Sequence, residues 1–181
     1  MNRTSHVRLM ASYNASMNNR VYEAARTLPA EELGAQRGAF FGSLLGTLKH
    51  LVNADIIWLK RFAGHAANYL QLEPVRLLAA PASLGELAYG DIDSLWQRRR
   101  WLDALITAWA AAISEDDLDQ TLHYVNSRGA VNQHFFSLLM HFFNHQTHHR
   151  GQASTLLRQQ GIDVGVTDLL ALIPDESAPM P

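Results

Sequence analysis

A chain of 181 residues, 48% apolar and 18% charged, is long enough to bury a proper core and reads as a single domain over residues 1–181. Its formal net charge of -2 gives no electrostatic footprint for nucleic acid or an anionic membrane, so neither is expected as a partner. The absence of cysteine excludes disulfides, thiolate ligands and a cysteine nucleophile, and any metal must rely on His, Asp and Glu.

The N-terminus, Met1-Asn2-Arg3-Thr4-Ser5-His6, lacks the apolar run of a signal peptide, and no apolar stretch reaches the ~18 residues of a membrane span. The default expectation is a cytoplasmic protein. Met10, Asn14, Met17, Val21, Ala24 and Leu28 recur at helical spacing and predict a first long helix over 5–27. Asn14 interrupts its apolar stripe. A bond to backbone or to a neighbouring helix is the plainer account of a buried Asn; lining a polar site is the sharper one, with Tyr13 beside it. Pro29 and Gly34 break the pattern around a short turn.

A second helix is predicted over 42–62, with Gly64 as its stop. His50 shares a face with Ser43, Gly46, Thr47, Ala54 and Ile57, small enough for the most part to let another helix come close. The remaining sides carry Leu44, Leu45, Leu48, Leu51, Val52, Ile56 and Leu59. A helix apolar nearly all round is buried on more than one side, and a homodimer is expected to cover the surplus. Asp55 points away from the His50 face and suits a hydrogen bond or ion pair better than the same site.

From His65 to Gly90 periodicity is weak, with a short helical turn expected near Leu84 to Leu87. Such a long connection suits a crossover. The third helix is predicted over 92–113, capped by Asp91 or Asp93. Arg99 breaks its stripe; its charge is expected to snorkel to water at the bundle end or to bind an anion at a pocket mouth. The run Arg98-Arg99-Arg100 is read as a solvated face. After an acidic turn at Ser114–Asp119, a small hairpin is expected before the fourth helix, with turn residues at Asn126 to Gly129. That helix is predicted over 133–160, ending at Gly161.

The fourth helix carries His141, His145, His148 and His149, four of the nine histidines. His145 and His149 lie one turn apart on one face and can aim two imidazoles at one point, as in the His-x-x-x-His of zinc sites. At about 100° per residue, Leu138, Phe142, Gln152 and Leu156 fall near His145, whereas Thr147 and Arg150 fall opposite. The pair is therefore placed in an apolar stripe. Satisfied core histidines would produce the same pattern. His50 is the one histidine on the inward face of another long helix, and with it a His50–His145–His149 metal set with an open fourth position becomes possible. His141 and His148 suit orienting or structural roles, and Asn144 is a further candidate to orient a ligand. His65 and His123 are not expected to contribute.

The strings Ser43-Leu44-Leu45-Gly46-Thr47-Leu48-Lys49-His50-Leu51-Val52-Asn53-Ala54-Asp55-Ile56-Ile57-Trp58-Leu59 and Asn144-His145-Gln146-Thr147-His148-His149-Arg150-Gly151-Gln152 resemble the two signatures of the DinB family. Tyr13-Asn14 and Thr167-Asp168-Leu169 add to the likeness, which spans nearly the whole chain. The resemblance implies an all-α four-helix bundle, up-down-down-up, with a divalent metal on the positions of His50, His145 and His149. It leaves the reaction open: some relatives transfer low-molecular-weight thiols such as bacillithiol, and related bundles isomerise maleylpyruvate with mycothiol. The family name records induction by DNA damage and not DNA binding.

These observations point to a metal-dependent enzyme acting on a small-molecule substrate, either a hydrolase or, as the resemblance implies, a thiol S-transferase that uses a low-molecular-weight thiol as a further cofactor. Imidazole ligands suit several metals, with zinc or nickel expected ahead of iron or manganese. The alternatives are a stress-linked metal or ligand binder without turnover, and a structural bundle whose histidines are core groups.

Overall fold

The structure, a computed structural model, describes residues 2–79 and 90–175. In chain order the elements are α1 (Arg3–Ala25), α2 (Ala30–Gly34), α3 (Leu44–Phe62), a 3-10 turn (Leu70–Leu72), α4 (Glu73–Arg76), α5 (Ile92–Ala112), α6 (Glu115–Leu118), β1 (Thr121–Asn126), β2 (Gly129–His134), α7 (Phe135–Arg158) and a final 3-10 turn (Leu169–Leu172). Among the described residues the regular elements are helices apart from one hairpin, and the fold is all-α. The long helices α1, α3, α5 and α7 form the bundle: α1 packs on α5 and α7, and α3 packs on α7 and α5. No helix among the described residues is long and apolar enough to cross a membrane.

Capping chemistry sets the helix starts. The side chains of Asn2, Ser43 and Asp91 accept hydrogen bonds from the backbone N–H groups of Ser5, Gly46 and Ser94, at 2.8, 3.0 and 2.7 Å. Asp91 is thus the cap of α5, whereas Asp93 pairs with Arg26 across to α1 at 2.5 Å. Ser114 and Asp117 form a capping box at α6. The fourth long helix begins two residues later than expected, because Gln133 and His134 belong to β2. In the hairpin, Thr121 pairs with His134 and Asn126 with Gly129; Gly129 takes φ 116°, a conformation L side chains rarely adopt. The turn expected near Leu84 to Leu87 lies outside the described residues.

The core fills with Leu48, Leu59 and Phe62 of α3, Leu102 and Trp109 of α5, and Phe135 and Phe142 of α7. The apolar sides of α3 are covered within the chain. Leu44, Leu48, Leu51, Val52, Ile56 and Leu59 are all buried, with α2, α4 and the Leu70–Leu72 turn packed on α3 beside α5 and α7. These short elements absorb most of the surplus, with Leu45 left partly buried.

Polar residues at the bundle centre join all four long helices. Arg99 of α5 is 1% exposed and neither snorkels nor faces a pocket mouth. Its guanidinium pairs with Asp55 of α3 at 2.5 Å and Asp103 of α5 at 2.9 Å. The expectation failed because two internal carboxylates, one on another helix, remove the need for water. Asp103 also accepts from Asn18 at 2.9 Å and from Asn14 at 3.3 Å, both of α1. Gln146 of α7 donates to the other oxygen of Asp55, and Arg150 donates to the Asn14 side-chain oxygen. Asn14 is thus bonded to neighbouring helices. Burial pushes the Asp55 carboxyl up to about 6, against the pull of Arg99. Breaking this centre from one side strands a buried charge. Arg99→Met is therefore expected to cost about 3–5 kcal/mol in urea unfolding. Arg158→Met, at the exposed Arg158–Asp163 pair, should cost less than about 1 kcal/mol. Equal losses for the two would contradict this account.

Candidate metal centre

Helices α3 and α7 meet along a seam, and three imidazoles converge there. His50 comes from α3; His145 and His149 come from successive turns of α7. The Nε2 atoms of His50 and His145 lie 3.1 Å apart, and one ring nitrogen from each of the three falls within 4.8 Å of the others. Tetrahedral ligands about 2.0–2.1 Å from a common ion sit roughly 3.3 Å from one another, a separation that the His50–His145 pair already has and that the group as a whole could close to around a divalent metal. His50 and His149 are buried, and His145 is half-buried. Among the described residues no carboxylate joins the group.

The surroundings favour the neutral, ligating form of His145 and His149. Burial first, then the neighbouring His149, His50, His141 and His148, holds His145 at about 3 against an ordinary value of 6.5. Burial also lowers His149. Neutral imidazoles bind a metal without first releasing a proton. Gln152 accepts from His149 Nδ1 at 2.8 Å, which leaves Nε2 unprotonated for a metal. The Gln152 amide nitrogen lies 3.2 Å from His148 Nε2. Gln152 therefore performs the orienting role that sequence reasoning gave to His141, His148 or Asn144. Its i, i+3 spacing from His149 was the available signal.

Phe41, unmarked by any motif, closes one side. Its ring stacks on His50 with centroids 3.9 Å apart and meets His149 edge-on at 5.4 Å. The residues before α3 make this contact possible. Gly42 turns with φ 76°, and a Cβ on Gly46 would come 2.2 Å from the Phe41 carbonyl oxygen. The small residue at 46 thus admits the Phe41 backbone and not another helix.

The other candidates are placed elsewhere. His141 is exposed, tilted against Trp58 at 5.1 Å and His145 at 6.1 Å. Asn144 is exposed. The Tyr13 hydroxyl donates to the Thr167 carbonyl at 2.6 Å and ties the C-terminal segment to α1, so it does not face the histidines. Asp55 pairs with Arg99, as its direction on the helix implied. His65 packs on Tyr69 and Phe135, and His123 bonds Asn132 within the hairpin. Arg150 and Gln146 correct the helical-wheel reading of α7: both are buried. The buried stripe is centred near Phe135, Gln146 and Ala153, about 80–100° from His145. His145 therefore lies at the edge of that stripe, nearer solvent.

A helical bundle that gathers three imidazoles at one seam has the arrangement that metal-holding bundles build from side chains on facing helices. Comparison with known proteins is specific. The DinB family matches over residues 1–177, and the chain belongs to that family. Protein DinB of Bacillus subtilis (strain 168) is 26% identical over 157 residues, covering 86% of this chain and 87% of the relative. No solved structure matches the chain.

The depressed His145 value carries a sign. Between pH 6.5 and about 3 the unfolded chain takes up a proton that the native His145 refuses. Stability from this group is full above pH 6.5 and is lost as pH falls towards 3. The metal-free protein should therefore lose more stability between pH 7.5 and pH 4.5 than metal-free His145→Asn does, as read from urea midpoints at each pH. Parallel losses would contradict the assignment.

Proposed function

We propose that His50, His145 and His149 hold a divalent metal ion, and that the protein uses it as an enzyme on a small molecule, with transfer of a low-molecular-weight thiol as the reaction. The convergence of three imidazoles without a carboxylate among the described residues is the observation that carries this reading. A divalent ion on three neutral ligands keeps its full charge, lowers the pKa of a bound water or thiol and supplies a nucleophile near neutral pH. The chain's own residues provide the setting. Gln152 fixes the His149 tautomer, and Phe41 excludes water from the His50 face. A chain without cysteine has no thiol of its own, which suits an exogenous one.

In the proposed transfer, the thiol loses its proton to solvent or to a nearby base. Its sulfur then forms a bond to an electrophilic carbon of the substrate, and that carbon's leaving group departs with the bonding pair. Exposed His141, beside His145, is placed to take or return such a proton. Family membership supports the metal and leaves the substrate open.

Metal analysis of untagged protein tests the first part. His50→Ala, His145→Ala and His149→Ala should each lose stoichiometric metal, whereas His65→Ala and His123→Ala retain it. Full metal content in the His50 variant would overturn the ligand set. A screen of thiols against electrophiles tests the second part. Metal-dependent turnover supports the enzyme, and a metal-loaded protein inert throughout would make it a binding module.

A further inference from the structure

Arg150 of α7 stands apart from the other charges of the bundle centre. It is 5% exposed, yet among the described residues it makes no ion pair. Asp55 and Asp103 both pair with Arg99, and Arg150 reaches Asp103 only through the Asn14 amide. Its other hydrogen bond goes to the Thr147 hydroxyl at 3.3 Å. The guanidinium fork has more donors than these two bonds use. The Tyr13 ring, 5.4 Å away, compensates weakly. A buried cation that touches only neutral groups is costly unless something else meets its charge.

Arg150 lines a pocket of about 110 Å³ between α1, α7 and the C-terminal segment. Arg20 of α1 lines it too, and among the described residues no carboxylate does. The Tyr13 hydroxyl donates to the Thr167 carbonyl at 2.6 Å and Arg20 to that of Val166 at 2.8 Å, which sets the C-terminal segment as the third wall. Gly151 adds no side chain, and a Cβ there would meet no heavy atom within 4 Å. The Thr147 and Ser154 hydroxyls also line the pocket. They donate to the Phe143 and Gly151 carbonyls, and such rotors turn readily towards a ligand. The volume is well below the roughly 300 Å³ at which sites for organic ligands begin, and it has room for a compact ion.

We infer that this pocket binds a compact divalent oxyanion of the phosphate class, held by Arg150 from α7 and Arg20 from α1. A guanidinium fork matches phosphate oxygens in pairs, and two cations without an acid suit a double charge. Free phosphate and the phosphate group of an organic ester, its remainder outside the pocket, present the same chemistry. None of His50, His145 and His149 lines the pocket, so the site stands independently of the metal centre.

Calorimetric titration of the full chain with inorganic phosphate, at pH 7.5 and constant ionic strength, tests the inference. Saturable binding is expected, with acetate weaker. Arg20→Ala, at an exposed position, should weaken phosphate about two- to fivefold. Arg8→Ala, exposed on the same helix and outside the pocket, should leave it unchanged. Ser154→Glu supplies a carboxylate one turn from Arg150 and should abolish binding. Where that variant does not fold, as judged by circular dichroism, the Arg20 arm decides. Phosphate binding tighter than phenyl phosphate marks the free ion as the ligand, and the reverse order marks an ester. No saturable binding to the wild-type protein, acetate binding as tightly as phosphate, or phosphate binding indifferent to Arg20→Ala would overturn the inference. His50→Ala should bind phosphate as the wild-type protein does. Loss of binding in that variant would place the ion at the histidines and overturn the pocket, whereas loss of metal with phosphate binding intact supports both sites.

Discussion

The hydrogen-bonded charges at the bundle centre constrain everything else in the molecule. Asp55 accepts from Arg99 on one oxygen and from Gln146 on the other, and so ties α3 to both α5 and α7. Asp103, Asn14, Asn18 and Arg150 extend the array to α1. Apolar packing tolerates small slides of one helix along another, whereas a buried carboxylate that loses a donor pays heavily. The array thereby sets the register of four helices that would otherwise be held only by shape.

The candidate metal centre inherits that register. Gln146 is adjacent to His145 in sequence, and Asp55 lies little more than a turn beyond His50. The Gln146–Asp55 bond therefore acts at the seam where the imidazoles must meet. Around them the chain adds Gln152 behind His149 and Phe41 against His50. Beside His145 stands His141, itself tilted against Trp58. The histidines are fixed from beneath by the array and finished at the surface by short segments.

Much of this was legible in the sequence, and the divide has a physical basis. Helical periodicity and caps placed the long helices within about two residues. The i, i+4 pair His145 and His149, with His50 on an inward face, singled out the three imidazoles that the fold brings together. Arg99 was misread because its partner Asp55 is 44 positions away, and a stripe shows that a residue faces inward without showing what meets it. Arg150 and Gln146 were missed for a related reason: the apolar residues chosen to centre the α7 stripe lay towards one edge of it. Phe41 had no signal, since its placement depends on a turn and on the absent side chain of Gly46.

The central claim is that three neutral imidazoles hold a divalent ion with one position left for an exogenous ligand. X-ray absorption at the metal edge tests this most directly on zinc-loaded protein, before and after addition of a small thiol. The account expects nitrogen and oxygen scatterers alone at first, at about 2.0–2.1 Å, with imidazole outer-shell features for three rings. With thiol, one sulfur scatterer should enter at about 2.3 Å. A shell unchanged by thiol, or one fitted by a fourth protein ligand, would contradict it.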